Sequence, residues 1–444
     1  MTALPRLVVS APATGQGKTT VATGLMAALR RAGHEVSGHK VGPDYIDPGY
    51  HALATGRPGR NLDPHLVGEE LVVPLLLHGA RGADLAVVEG VMGLFDGRVG
   101  QHGFASTAHV ARLTASPVVL VVDISRSSRT IGAVVHGLST YEPGVRVAGV
   151  VLNQAGSPRH AAEVTSSLRV PVLGVVPRAE GLATPSRHLG LVPAAERDGA
   201  VEVVAAWADA VAEHVDLDAV LAVARTAPDL DQPPWDPADR VTSVPGRPVV
   251  AMAGGRAFTF RYAETEELLR AAGCEVVAFD PLTDGALPDR TAAVYLGGGF
   301  PEVHARELTD NVALREQLAA AVAGGVPTVA ECAGLLYLCS SLDSSPMVGS
   351  IDATAAMTER LTLRYPTMTA ATDNLLSRKG ELSTGHEFHR THTDPERGTL
   401  PAWTVDGVDV GFAGPTLHAS YLHTHWAGQP QLAQRFAEAA ARHA

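Results

Sequence analysis

Ser10–Thr20 reads SAPATGQGKTT. Gly15, Gly17, Lys18 and Thr19 form the closing half of the phosphate-loop pattern G-x-x-x-x-G-K-[ST], while Pro12 stands where its first glycine would be. The flanking residues decide the reading. RLVVSA before the loop suits a short buried strand, and TTVATGLMAALRRAG after it repeats Val21, Leu25 and Leu29 on one helical face, with Gly33 offering a stop. Strand, glycine loop and helix in that order aim backbone N–H groups and the positive end of a helix dipole at an anion. A nucleotide is therefore expected on Gly15, Gln16, Gly17, Lys18, Thr19 and Thr20, with Lys18 charging the outer phosphates and the Thr19 hydroxyl placed for Mg2+.

Further buried-strand runs follow at ADLAVVEG, SPVVLVVDIS, VRVAGVVLNQ and VPVLGVVP, spaced by helix-length segments. That rhythm predicts an α/β fold with a mostly parallel sheet. It stops at a Pro- and Asp-rich stretch and restarts with PVVAMAGG, CEVVAFD, TAAVYLGGG and VPTVAECAGLLYL. The expected organisation is a domain over 1–227, a linker over 228–246 and a second α/β domain over 247–444. The strands between Ile351 and Trp426, a stretch rich in Thr, Ser and His, are not drawn individually.

The 444 residues suffice for two cores, and 45% hydrophobic with 18% charged residues fits sheets covered by helices. A formal net charge of -12 argues against wrapping nucleic acid or docking on anionic lipid, since both require a basic face. Cys274, Cys332 and Cys339 make neither a C-x-x-C pair nor a zinc ladder, and no apolar run reaches the length of a membrane span. A cytoplasmic protein is expected, and a homodimer is left open.

Mg2+ wants hard oxygen ligands. KVGPDYIDPGYH offers Asp44 and Asp47 in a loop stiffened by Pro43 and Pro48, with Lys40 beside them as a further nucleotide-site candidate that could neutralise phosphate or carboxylate charge, although turn formation and helix capping would also explain the aspartates. LAVVEGVMG sets Glu89 at the carboxyl end of a buried strand, where α/β sheets bind ligands. Thr19, Asp47 and Glu89 are the candidate metal ligands.

The second half carries a different chemistry. In VPTVAECAGLLYL, Cys332 falls on the bend between strand and helix, the position of a nucleophile elbow whose helix N-terminus would favour thiolate. Ala333 N–H and the loop Gly297–Gly299, through Gly298 and Gly299, are the candidate oxyanion donors. ASYLHTHW supplies His423 and His425 on one face of an extended segment; His423 is the preferred base with His425 orienting it, and the reverse is open. His386, His389 and His392 in GHEFHRTH invite a metal reading, against which surface or substrate contact is favoured.

KVGPDYIDPGYH, VVEGVMGLFDG, LGGGFPEVHA, ECAGLLYL, GHEFH and ASYLHTH, taken together and in order, closely resemble the cobyrinate and hydrogenobyrinate a,c-diamide synthases. The resemblance implies an N-terminal P-loop domain similar to dethiobiotin synthetase, whose loops share the missing first glycine, and a C-terminal class I glutaminase domain. It also implies that ATP activates acetate carboxylates of a corrinoid polycarboxylate, that L-glutamine supplies ammonia through Cys332, and that Asp44, Tyr45 and Asp47 lie on the substrate side. Two departures stand out: Ala333 where such chains often have glycine, and His425 where class I glutaminases often place Glu. The dyad of Cys332 and His423, assisted by His425, follows. Cobyric acid synthase and nickel-sirohydrochlorin a,c-diamide synthase would share the chemistry. A partitioning-type P-loop ATPase lacks the glutaminase half, and its loops usually carry lysine at the place of Ala13.

Overall fold

The computed structural model describes residues 2–179, 186–187 and 190–444. They fall into two compact units, Met1–Trp235 and Asp236–Ala444.

The first unit is built on β1 (Arg6–Ser10), β2 (Val36–Val41), β3 (Arg60–Leu62), β4 (Leu85–Glu89), β5 (Val118–Asp123), β6 (Val147–Ala155) and β7 (Val172–Pro177), in the order β3-β2-β4-β1-β5-β6-β7. Every pairing is parallel. Val8, Val9, Val87, Val88, Leu120 and Val121 are 0% exposed, so helices cover both faces and each branched side chain contributes about 1.5–3 kcal/mol of burial. The order reverses at β1, which lies between β4 and β5. A crevice outside the carboxyl ends of parallel strands forms at such a switch point. The loop after β1 and the helix α1 (Lys18–Arg31) open there, as does α2 (Ile46–Thr55) after β2.

The second unit has a six-stranded sheet ordered Glu275–Phe279, Val249–Ala253, Thr291–Leu296, Thr328–Glu331, Leu417–Ser420 and Phe412–Ala413, antiparallel only at the last pair. A long strand, Ile351–Arg364, pairs antiparallel with Glu387–Asp394. These are the strands the Thr-, Ser- and His-rich text concealed.

The stretch expected to be a linker is packed. Leu230 bridges to Thr2, Trp235 N–H donates to Pro74 O at 2.9 Å, and its indole meets His78 edge-on at 4.9 Å. From Asp236 onward the chain joins the second unit: Val244 N–H donates to Ala272 O and Thr242 N–H to Gln434 Oε1. Proline and aspartate suppressed periodic structure here without loosening the chain, because a buried tryptophan and backbone bonds anchor it.

Candidate active sites

In the first unit Gly17 ends the loop at φ 86°, a left-handed conformation, and a β-carbon there would overlap Asn153 Nδ2. Asn153 donates to Gln16 O at 3.0 Å, and Gln16 Oε1 accepts from Asp123 N–H at 2.9 Å. Gln16 thus pins the loop to the end of β5 through its side chain and to β6 through its backbone carbonyl. Gly15 stays exposed, and Thr20 is half-buried in the first turn of α1. Lys18 donates to Met92 O at 2.6 Å. Burial, then the like charge of Lys40, lowers its pKa to about 8.

Behind the loop lies a buried ionic cluster. Thr19 Oγ1 donates to Glu89 Oε1 at 2.6 Å and approaches Asp47 Oδ2 at 3.3 Å. Lys40 Nζ donates to Asp47 Oδ2 at 2.5 Å, Glu89 Oε1 at 3.0 Å and Gly90 O at 3.0 Å. His51, a residue the sequence reading passed over, reaches Glu89 Oε2 with Nε2 at 2.7 Å. Burial opposes the Lys40 ammonium, but Asp47 and Glu89 overcome it and hold its pKa above the ordinary value. Burial likewise opposes the Glu89 carboxylate, and Lys40 and His51 reverse the balance and hold it low. Asp47 is pushed well above the usual range by burial and by Asp44 and Glu89, against the pull of Lys40.

The candidates Thr19, Asp47 and Glu89 therefore converge. Their donors are hard oxygens, and a cation between the two carboxylates would offset both the burial and the neighbouring negative charge that raise Asp47; both features fit Mg2+. Among the described residues no group of three or more His, Cys, Asp or Glu forms a metal cage. Mg2+ held by one or two carboxylates with phosphate and water oxygens requires none. Asp44 accepts from Ile46 and Asp47 N–H at 2.7 and 3.1 Å, so it shapes the turn into α2. Tyr45, half-buried, stands at the N-cap position of that helix without a side-chain capping bond.

In the second unit Cys332 has φ 50° and ψ -100°, a strained geometry for a residue with a side chain. It sits between the strand Thr328–Glu331 and the helix Ala333–Leu338. Cys332 N–H donates to Ser420 O at 2.8 Å, and Gly334 N–H to Gly297 O at 3.0 Å, which locks the elbow between the histidine segment and the glycine loop. Cys332 is 5% exposed. Thiolate is not favoured here: burial, then Glu302, pushes the thiol pKa up, and Ala333 N–H opposes this only in part. A base must take the proton.

His423 lies against Gly298, where a β-carbon would strike the imidazole Cε1. Its backbone exchanges hydrogen bonds with His386 at 2.9 and 3.1 Å, and the two rings stack at 4.9 Å. Glu331 Oε2 is 3.7 Å from His423 Nδ1. Glu331 is fixed by Tyr295 OH at 3.0 Å, Thr424 Oγ1 at 2.9 Å and Thr424 N–H at 3.3 Å. His425, expected to orient His423, instead stacks on Tyr262 at 4.1 Å with Nε2 3.7 Å from Glu264. The signal for Glu331 was present: it is a charge closing an apolar strand, as Glu89 is.

Of the expected oxyanion donors, Gly298 has its N–H bound to Phe260 O at 3.0 Å. It is therefore a spacer for the imidazole and not a donor. At Gly299 a β-carbon would run into Ala257 O. His389 stacks on Tyr421 at 3.9 Å and faces Glu387, which also binds Arg364.

A phosphate loop with a carboxylate cluster in one unit and a cysteine elbow with a buried histidine in the other define a glutamine-dependent amidotransferase. Residues 7–192 match the CobQ/CobB/MinD/ParA nucleotide binding domain, and residues 249–431 match the CobB/CobQ-like glutamine amidotransferase domain. Hydrogenobyrinate a,c-diamide synthase of Thermobifida fusca (strain YX) is 59% identical, over 98% of this chain and 97% of the relative. The protein of that name from Streptomyces coelicolor is 53% identical over the same shares. Cobyrinate a,c-diamide synthase of a Synechococcus strain is 40% identical over 98% of both chains. The chain belongs to the cobyrinate and hydrogenobyrinate a,c-diamide synthase family. No helix among the described residues is long and apolar enough to cross a membrane.

Proposed function

We propose that the protein converts the a and c acetate carboxylates of hydrogenobyrinate to carboxamides, using ATP and the amide nitrogen of L-glutamine. The observation that carries this reading is the pairing, on one chain, of the Lys18, Thr19, Asp47 and Glu89 cluster with the strained Cys332 elbow. A carboxylate does not accept ammonia, so it must first be activated. A substrate carboxylate oxygen attacks the γ-phosphorus of ATP, the bond to the β-phosphate oxygen breaks, and ADP leaves. Mg2+ held by Thr19, Asp47 and Glu89 would neutralise phosphate charge. Lys18 exchanges Met92 O for phosphate oxygens, and Lys40 keeps the two carboxylates in place. Ammonia attacks the acyl carbon and phosphate departs.

Ammonia is released from L-glutamine at Cys332. His423 takes the thiol proton as sulfur attacks the glutamine amide carbon, then returns it to the leaving nitrogen; water hydrolyses the thioester to glutamate. Glu331 holds the His423 ring and stabilises its charged form, the role the sequence had given to His425. Ala333 and Gly299 N–H groups receive the oxyanion. A cytoplasmic setting suits a free nucleophilic thiol, and all three cysteines are unpaired.

The metal-free ring is favoured because relatives at 51–59% identity carry the hydrogenobyrinate name, whereas those at 37–42% carry the cobyrinate name. The Cys332→Ala variant should release no glutamate and make no diamide from glutamine, yet should still make it from ammonium and ATP. A folded variant inactive with both nitrogen sources would refute the division of labour. Comparing kcat/KM for hydrogenobyrinate and cobyrinate decides the ring.

A further inference from the structure

Glu89 is 0% exposed, and both of its carboxylate oxygens have side-chain partners. Its Oε1 accepts from Thr19 and Lys40, on the phosphate-loop side. Its Oε2 is occupied by His51 Nε2 at 2.7 Å, with both side chains fully buried. An ionised carboxylate only accepts, so the imidazole carries its proton on Nε2. Gly38 lets β2 approach this residue closely: a β-carbon there would come within 2.9 Å of His51 Cβ. His51 O in turn accepts from Thr55 Oγ1 at 2.8 Å within α2. His51 Nδ1 has no hydrogen-bond partner among the described residues, so the ring's one polar attachment is to Glu89.

We infer that His51 is a positioning residue for the cation-binding carboxylate: by tying up Glu89 Oε2 it leaves Oε1, the oxygen turned toward Thr19, as the one that a divalent ion would take when the Thr19 hydroxyl turns from Glu89 to the ion. The inference rests on the Mg2+–nucleotide reading of this cluster. Mg2+ is small and prefers one oxygen from each carboxylate in a near-octahedral shell, whereas Ca2+ accepts both oxygens of one carboxylate. A carboxylate with Oε2 locked is biased toward the smaller ion. Partners behind a metal ligand typically set a factor of about 10–100 in metal affinity. His51 also begins its work from the same helix that carries Asp47, so one element sets both carboxylates.

The test uses the full chain and binding of a non-hydrolysable ATP analogue, followed by calorimetry in EDTA and at stepped Mg2+ or Ca2+. The His51→Leu variant, which keeps bulk and loses the donor, should need about 10–100 times more Mg2+ to reach the half-point of the metal-dependent gain in affinity. Its preference for Mg2+ over Ca2+ should narrow. Nucleotide affinity in EDTA and glutamate release from glutamine should match the wild type. The His51→Gln variant, whose amide N–H can reach Glu89, should return to within about threefold of wild type. An unchanged Mg2+ half-point and ion preference in His51→Leu would overturn the inference. So would an equal loss of nucleotide binding in EDTA, which would mean that the ring only fills space. A wild-type protein whose nucleotide affinity ignores Mg2+ would overturn the metal reading itself, and this inference with it.

Discussion

The two sites are organised by opposite means. Around Glu89 the work is done by side-chain charge: one lysine, one histidine and one hydroxyl hold two buried carboxylates. Around Cys332 it is done by the backbone, through a residue forced to φ 50° and glycines that let the histidine and the elbow approach. The first arrangement resists disassembly because each charge depends on another. The second depends on small distances, so it should lose activity before it loses its fold.

The largest test of that contrast is Lys40→Met. Removing the cation leaves Asp47 and Glu89 uncompensated, and breaking a buried pair in this way costs about 3–5 kcal/mol. Denaturant unfolding should show the first unit losing that stability, while glutamate release continues at the wild-type rate below the new transition. Equal destabilisation of both units would erase the distinction. The counterpart is Gly298→Ala, whose methyl would displace His423. Glutamine-dependent synthesis should fall by about 10²-fold, the scale of a misplaced catalytic group, with an unchanged melting curve and full ammonium-dependent synthesis.

Glu331→Gln sharpens the comparison within the second unit. The amide keeps the shape but not the charge beside His423, so kcat for glutamate release should drop about 10–100-fold while KM for glutamine stays put. The change His425→Gln should leave glutamate release nearly intact, since His425 faces Tyr262 and Glu264. If the two effects are exchanged, His425 is the orienting group after all.

Legibility in the sequence followed the same divide. β4 and β5 could be drawn because unbroken apolar runs mark strands buried on both faces. β2, VSGHKV, could not, although all six residues are buried. Its polar side chains are satisfied by partners distant in sequence or hidden by alternation: His39 Nε2 meets Ser37 Oγ at 2.7 Å, and Lys40 meets Asp47 and Glu89. Burial, then Arg60, depresses the His39 pKa to about 3, so it sits neutral in the sheet. The strand Ile351–Arg364 alternates, but its buried positions include Ala353 and Ala355, too small to give a strong period. Glycine loops and the cysteine elbow are contiguous in sequence and were readable. Contacts such as His51 with Glu89 or Glu331 with His423 join distant segments, and only folding brings them together.

Asp63 measures what Glu89 would suffer without its cations. It is 0% exposed. Its Oδ1 accepts from His65 and Leu66 N–H, whereas its Oδ2 has no partner among the described residues. Burial raises its pKa to about 7, and the two backbone N–H groups offset this only in part. The folded protein thus holds this proton more tightly than the unfolded chain does. The stability linked to it is fully present below the ordinary carboxylate range and is lost as pH rises toward 7. Asp63→Asn removes the titration, and any fixed cost of the new amide cancels when two pH values are compared. The variant should therefore gain about 1 kcal/mol relative to wild type on going from pH 6 to pH 8, since one pKa unit corresponds to 1.36 kcal/mol. Denaturant midpoints at the two pH values measure it. A difference that does not change with pH would show that the folded carboxylate finds compensation comparable to that of Glu89.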